Sequence, residues 1–371
     1  MTAVPRVKRI LAAECKLALP KPIRLGPVEV KTRDFVALRL ESDNGLFGDA
    51  ISYPRGANLL YAAHILAPHI VGTSSSKRRE TIENTLQRLV NNRASLVKAA
   101  SLYDIALWDL FCKSVSQPLH AVLGGIRSQV PVMVVAGYFL DQRTIEDVCE
   151  EVRLRVDQGY RLIKIMINGS DPDQDERLVA AAMNIAGSRI CVDAHWAWTS
   201  VAAALETCKR LDGYNVKFIE DPFGQHQSFL AGELQKWIKT PLAVGEDLPD
   251  LQTIHAAIEP LLFYRLDATT CGGISTAVTA TESAGVWGKS VLPHVFLPLH
   301  AQLAGALRPI EAVEFIPPEI GACPMFDLLD SLPRINDGIL DIDPEPGAGF
   351  HLDWDKVAAT AGRVWVHDIN D

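Results

Sequence analysis

The 371-residue sequence has no cysteine pair at C-x-x-C spacing, no basic stretch interleaved with aromatics, and no apolar run long enough to span a bilayer. Each absence excludes a class of protein. The seven cysteines, Cys15, Cys112, Cys149, Cys191, Cys208, Cys271 and Cys323, are odd in number and scattered. That argues against a disulfide framework or a thiolate zinc site and for a reducing, cytoplasmic location. With 36 Lys and Arg against 45 Asp and Glu, the formal charge is -9, and nucleic acid is not an expected partner. No membrane partner is expected either. The N-terminal apolar run is short and interrupted by Glu14, Cys15 and Lys16, so no signal peptide is read there. What is present is ordinary globular composition, 48% hydrophobic and 22% charged.

Three regions follow from the patterning. Residues 1–125 read as a mixed α+β domain. FVALRLES, the turn Asp43-Asn44-Gly45 and LFGDAI form a β-hairpin signal, and the stretch from Ser76 to Leu123 has helical periodicity. From 126 to 325 the text becomes rhythmic. Eight short apolar runs (VPVMVVAGYF, LIKIMI, ICVDAH, VKFIEDP, LAVGED, LLFYRLDAT, SVLPHVF and AVEFI) alternate with amphipathic helical segments. Near-continuous apolar strands separated by helices imply a parallel sheet covered on both faces. Eight of them suit a closed α/β barrel of the (β/α)7β, TIM-like type. Residues 326–371 abandon the rhythm, end in the strand-like GRVWVHD, and are expected to pack back on the first domain.

In such a barrel the chemistry lies at the C-terminal ends of the strands. Lys164, Asp193, His195, Glu220, Glu246, Asp267, His294 and Glu314 all fall there. Asp193, Glu220 and Glu246 are spaced by 27 and 26 residues on successive strands. A single carboxylate in such a place could simply cap a helix. Three that converge repel one another unless a cation sits between them, and all-oxygen ligation selects a hard cation, Mg2+ first with Mn2+ as the alternative. Asp267 and His294 end neighbouring strands, and a carboxylate behind an imidazole is what a proton-abstracting His needs. His195, two residues after Asp193, is a candidate acid or substrate contact. Tyr53 and Arg55 follow the hairpin and are placed to reach over the mouth and bind substrate.

The ordered set KIM at Lys164, VDAH at Asp193, IEDP at Glu220, GED at Glu246, the Asp267–His294 pair and VEF at Glu314 resembles the mandelate racemase branch of the enolase superfamily over nearly the whole chain. The resemblance implies a barrel with a capping domain, and a homo-oligomer acting on a small carboxylate. It implies Asp193, Glu220 and Glu246 as Mg2+ ligands, and His294, backed by Asp267, as the base. Lys164 would contact the substrate carboxylate, and Glu314 would hydrogen-bond the oxygen that becomes part of an enediolate. Capping loops near Leu25 to Lys31 and Tyr53 to Arg55 would shape specificity.

Two positions depart from the racemases. Where those enzymes have Lys-x-Lys, this chain has Lys164-Ile165-Met166, and a thioether cannot act as a second base. Where Asn is commoner, this chain has His195, similar to some sugar-acid dehydratases of the superfamily. Both departures favour elimination of water from a sugar acid, giving a 2-keto-3-deoxy acid. A racemase or epimerase with its second base elsewhere is the alternative. A barrel that has lost catalysis and only binds is a third reading.

Overall fold

The computed structural model describes residues 4–25, 28–88 and 93–369. Four antiparallel strands form the first layer in the order β14-β1-β2-β3. They are β1 (Val7–Leu25), β2 (Val28–Ser42), β3 (Phe47–Ser52) and, from the far end of the chain, β14 (Ala361–Asp368). β2 and β3 are the hairpin expected around Asn44-Gly45, paired from Val36↔Ser52 to Glu41↔Phe47. β14 runs antiparallel to β1, with Leu11 opposite Val366. Helices α1 (Leu59–Leu66), α2 (Arg78–Arg88), α3 (Arg93–Ser114) and α4 (Leu119–Val122) follow, and α3 lies against β3. Close approach there depends on Gly48, where a Cβ would stand 2.1 Å from the Ala106 carbonyl oxygen and 2.7 Å from the Leu110 nitrogen.

The second layer is the barrel. Its strands are β4 (Gln129–Ala136), β5 (Leu162–Met166), β6 (Ile190–Asp193), β7 (Ile219–Glu220), β8 (Leu242–Val244), β9 (Phe263–Tyr264), β10 (Ser290–Val291) and β11 (Val313–Phe315). Seven fall within the apolar runs singled out above, and β4 starts one residue before its run, at Gln129. Each pairs in parallel with the next from β4 to β10, and β11 returns to pair with β4. The ring closes through one parallel bridge, Val291–Ile310. There the Val291 amide donates to the Pro309 carbonyl and the Glu311 amide to that of Val291, at 2.9 and 3.1 Å. Seven helices occupy the crossovers: α5 (Ile145–Asp157), α6 (Pro172–Ala186), α7 (Val201–Leu211), α8 (Leu230–Gln235), α9 (Leu251–Ile258), α10 (Ile274–Val286) and α11 (Leu297–Ala306). Polar side chains cap several of them: Thr144 with Asp147 in a capping box on α5, Asp171 on α6, Ser200 on α7 and Asp250 on α9. A short hairpin, β12 (Ile335–Asn336) and β13 (Ile339–Asp341), pairs with the start of β4, and α12 (Trp354–Thr360) leads into β14.

Strand alternation sorts the barrel interior into layers. Met133, Cys191, Phe218, Ala243, Leu292 and Ala312 form one fully buried apolar cluster, with Leu162 and Phe263 against it. These residues come from all eight strands or their immediate flanks and can meet only inside the ring. Two residues further along each strand, on the same face, stand Val135, Lys164, Asp193, Glu220, Gly245, Arg265, His294 and Glu314, six of the eight ionisable. A hydrophobic floor thus carries a charged layer directly above it, at the C-terminal ends of the strands. All seven cysteines are buried as free thiols. Among the described residues, no helix is long and apolar enough to cross a membrane.

Candidate active site

The charged layer is nearly closed to solvent. Lys164 is 2% exposed and its ammonium meets three carboxylates: Asp193 at 2.9 Å, Glu220 at 3.0 Å and Glu314 at 2.6 Å. Burial alone would disfavour that charge, but the three acids outweigh it and hold the lysine pKa well above its ordinary value. Arg265, fully buried, completes the layer. Its Nε lies 2.9 Å from Glu220 Oε1 and its Nη2 2.5 Å from Glu314 Oε2, while Nη1 donates to the Leu292 and Pro293 carbonyls. Glu314 therefore has Lys164 on one oxygen and, on the other, Arg265 and the Val295 amide at 2.9 Å. Burial opposes its ionisation, yet the two cations keep it well below the usual carboxylate range.

Glu220 belongs to a second group as well. Among the described residues, Glu220, Asp221 and Glu246 offer one oxygen each, all within 4.8 Å of one another. Burial, then the neighbouring Glu246 and Glu220, drives the Asp221 pKa well above normal. Burial also pushes Glu220 up to about 8 against the opposing pull of Arg265 and Lys164. Its Oε2 is buried with no hydrogen-bond partner. An unpartnered buried carboxylate oxygen costs free energy that a cation would recover. The donor set is all oxygen and mutually repelling, so a hard divalent cation fits it. Asp193 sits beside Glu220 in register across β6 and β7. The grouping does not include it, because Lys164 holds one of its oxygens and the His195 amide and ring Nδ1 hold the other, at 2.9 and 3.0 Å. Burial opposes ionisation of Asp193 too, but His195 and Lys164 keep its pKa far down.

His294 and Asp267 do meet, with Nδ1 2.9 Å from Oδ2. Asp267 also accepts from the Thr269 amide at 2.7 Å, which fixes its orientation. The other ring nitrogen, Nε2, has Arg55 Nη2 at 3.1 Å and Glu246 Oε2 at 3.4 Å. A guanidinium can only donate, so Nε2 carries a lone pair and the proton is on Nδ1. That is the tautomer of a base, with the unprotonated nitrogen paired to Arg55 at the cavity wall. Burial and then Arg55 hold the imidazole pKa well below normal.

Of these groups His195, Glu246 and His294 line a cavity of about 470 Å3, whose walls also include Tyr53, Arg55 and Lys98. Arg55 crosses from the β3–α1 connection to bind Glu246 at 2.9 Å and Asp247. Lys98 of α3 reaches Asp247 at 3.4 Å. Tyr53 is not a surface lid residue: it is buried between Phe35 and Phe296, with its hydroxyl 2.8 Å from Cys323 Sγ. Of the capping segment Leu25 to Lys31, residues 26 and 27 lie outside the described residues, while Val28 and Val30 line the cavity. Met166 is buried at the end of β5, opposite Asp193 in register. Arg265 and Lys98 were not anticipated from the sequence. The arginine could have been found as the one cation in the run LLFYRLDAT, two residues before Asp267 and so on the same face.

Two family profiles match the chain: "Mandelate racemase / muconate lactonizing enzyme, N-terminal domain" over residues 9–124, and "Enolase C-terminal domain-like" over 147–356. Among curated relatives, an L-talarate/galactarate dehydratase of Salmonella typhimurium is 26% identical over 349 residues, covering 88% of this chain and 84% of its own. An o-succinylbenzoate synthase of Listeria innocua is also 26% identical, over 93% of both chains. In three dimensions the chain is similar to an L-talarate dehydratase from Polaromonas sp. JS666 crystallised with Mg and L-glucarate, with TM-score 0.87 and 23% identity, covering 98% of this chain and 99% of that one.

Proposed function

The chain belongs to the mandelate racemase / muconate lactonizing enzyme family of the enolase superfamily, and from that premise we propose that it is a Mg2+-dependent lyase that dehydrates a sugar acid to a 2-keto-3-deoxy acid. The observation that carries the reading is the His294–Asp267 pair, with the unprotonated Nε2 beside Arg55 in a cavity next to the buried acids. Relatives that dehydrate talarate or galactarate, arabinonate and xylonate support the same reaction class.

The cation would be held by Glu220 and Glu246, with Asp193, registered beside Glu220, as the proposed third ligand once it exchanges a present partner for the metal, and Asp221 behind the group. When bound, it supplies positive charge to the substrate carboxylate as charge develops there. His294 Nε2 takes the proton from C2, and the C–H electron pair moves into the enediolate. The C3–O bond then breaks, and the hydroxide leaves as water with a proton from His195 or from protonated His294. The resulting enol tautomerises to the keto acid. Lys164 neutralises the carboxylate end of the substrate. Met166, where a second base would stand, has no lone pair basic enough to take a proton, which favours elimination over racemisation.

The test is a panel of aldonic and aldaric acids with Mg2+, read by a keto-acid assay and by deuterium uptake at C2. Keto-acid release is the expected result. Deuterium exchange with return of the starting acid or its epimer would replace dehydration by epimerisation. Neither signal from any acid would leave a barrel that only binds. Asp193→Asn is expected to weaken Mg2+ binding more than Asp221→Asn, and the reverse order would move the third ligand to Asp221.

A further inference from the structure

Arg265 has no role in the proposed reaction, yet among the described residues it is the largest fully buried side chain. A guanidinium does not enter a barrel interior without compensation, because removing it from water costs several kcal/mol. Here the compensation is directional at both terminal nitrogens, while Nε makes an ion pair without hydrogen-bond geometry. Two backbone carbonyls on the β10 side, at 2.8 and 3.2 Å, fix one end of the fork. The rest spans two carboxylates from opposite parts of the ring, Glu220 on β7 and Glu314 on β11.

The consequence falls on Glu220. Its Oε1 accepts a hydrogen bond from Lys164 at 3.0 Å and forms an ion pair with Arg265 Nε at 2.9 Å. With that oxygen set between two cations, Oε2 is the atom left buried and unpartnered on the acid that joins Asp221 and Glu246 in the trio. We infer that Arg265 is a positioning residue for the cation site: anchored by Glu314 and two carbonyls, it fixes one oxygen of Glu220 so that the other is presented to the metal. This rests on the proposed cation site but not on the identity of the substrate. Glu314 enters the same arrangement as the anchor of Arg265, since both its oxygens already accept from donors.

Charge and geometry predict opposite outcomes when Arg265 is removed. If Arg265 served only as a nearby positive charge, its loss would make the pocket more negative and tighten divalent-cation binding. If it positions Glu220, its loss frees the carboxylate to rotate and weakens binding. A lysine keeps the charge but cannot bridge two carboxylates and two carbonyls as a planar fork does.

The experiment measures Mg2+ affinity calorimetrically on the full chain, for wild type, R265M, R265K and E314Q, with circular dichroism and melting temperature as checks on folding. Expected is at least a tenfold loss of affinity in R265M and R265K. E314Q, whose amide oxygen still accepts from Arg265, should stay within about threefold of wild type. R265M or R265K binding Mg2+ as tightly as wild type, or more tightly, overturns the inference. Should R265M not fold, R265K and E314A (which removes the anchor) make the same comparison, with a tenfold loss expected in both. Wild type that binds no Mg2+ sinks the metal reading itself. Wild type that binds Mg2+ but turns over no acid sinks only the proposed reaction.

Discussion

Arg55 Nη2 stands 3.1 Å from Nε2 of His294, on the ring nitrogen that Asp267 does not use. One imidazole thus lies between a carboxylate from β9 and a guanidinium from the capping region. The pairing fixes the tautomer and places Arg55 on the basic nitrogen, in the cavity that both residues line.

Removing the imidazole should remove the chemistry. His294→Asn is expected to lower kcat by about 10^3-fold, within the range for a lost general base, with the fold retained. Asp267→Asn, which disturbs the tautomer, should cost about 10^2-fold. The measurement is keto-acid formation or C2 deuterium exchange on whichever acid the panel identifies, and near-wild-type rates in His294→Asn would remove it as the base.

Arg55 already occupies the position that an incoming anionic substrate must approach. Arg55→Met should raise KM by about tenfold or more, the worth of one charge-assisted hydrogen bond, while kcat changes less. Steady-state kinetics over a range of acid concentrations gives the split. An unchanged KM would take Arg55 out of substrate binding.

His300 gives a pH-dependent stability. Its Nε2 accepts from the Ala268 amide at 3.2 Å and its Nδ1 donates to the Val295 carbonyl at 2.9 Å, so the neutral ring satisfies both partners. Burial pushes its pKa down to about 4. The unfolded chain, with an ordinary imidazole, binds the proton first as pH falls. This contribution is therefore fully present above pH ~6.5 and is lost between there and pH ~4, by on the order of 3 kcal/mol. Denaturation midpoints of wild type and His300→Gln across that window should converge as pH drops. A constant difference from pH 7 to 4 would contradict the assignment.

The packing of α3 on β3 can be tested at Gly48. A methyl there overlaps backbone atoms of α3, so Gly48→Ala should cost about 3 kcal/mol. Gly362→Ala, where the nearest atom to a new Cβ is 3.9 Å away, should be near neutral. Thermal midpoints of the two variants make the comparison, and equal midpoints would mean that α3 yields.

The eight barrel strands and the hairpin were legible because each is a short apolar run bounded by turn residues, and the place of Lys164, Asp193, Glu220, His294 and Glu314 at the C-terminal ends of those runs set them at one mouth of the barrel. β1 was not legible. Its 19 residues carry charged side chains on the solvent side, Pro20 and Pro22 in the second half, and a register shift between Ala18 and Ile23 that breaks the period. The partners of the site were harder still. That Asp193 pairs with Lys164 and His195 while Asp221 joins the acidic trio depends on side-chain rotamers and on the left-handed backbone at His195 and Asp221, with φ of 46° and 40°. Neighbours along the chain do not encode such choices. Lys98 belongs to a helix whose periodicity says only which face is buried, not that its one polar tip meets Asp247 across two domains.

The ring is fastened between β10 and β11 by a single bridge, at Val291 and Ile310, whereas β4 and β5 share four registered pairs. His294 follows one side of that seam and Glu314 the other. Solvent breathing should begin there: the Val291 and Glu311 amides would be the first of the strand protons to trade with deuterated water, and a ligand gripping both edges would slow them before any other part of the cylinder.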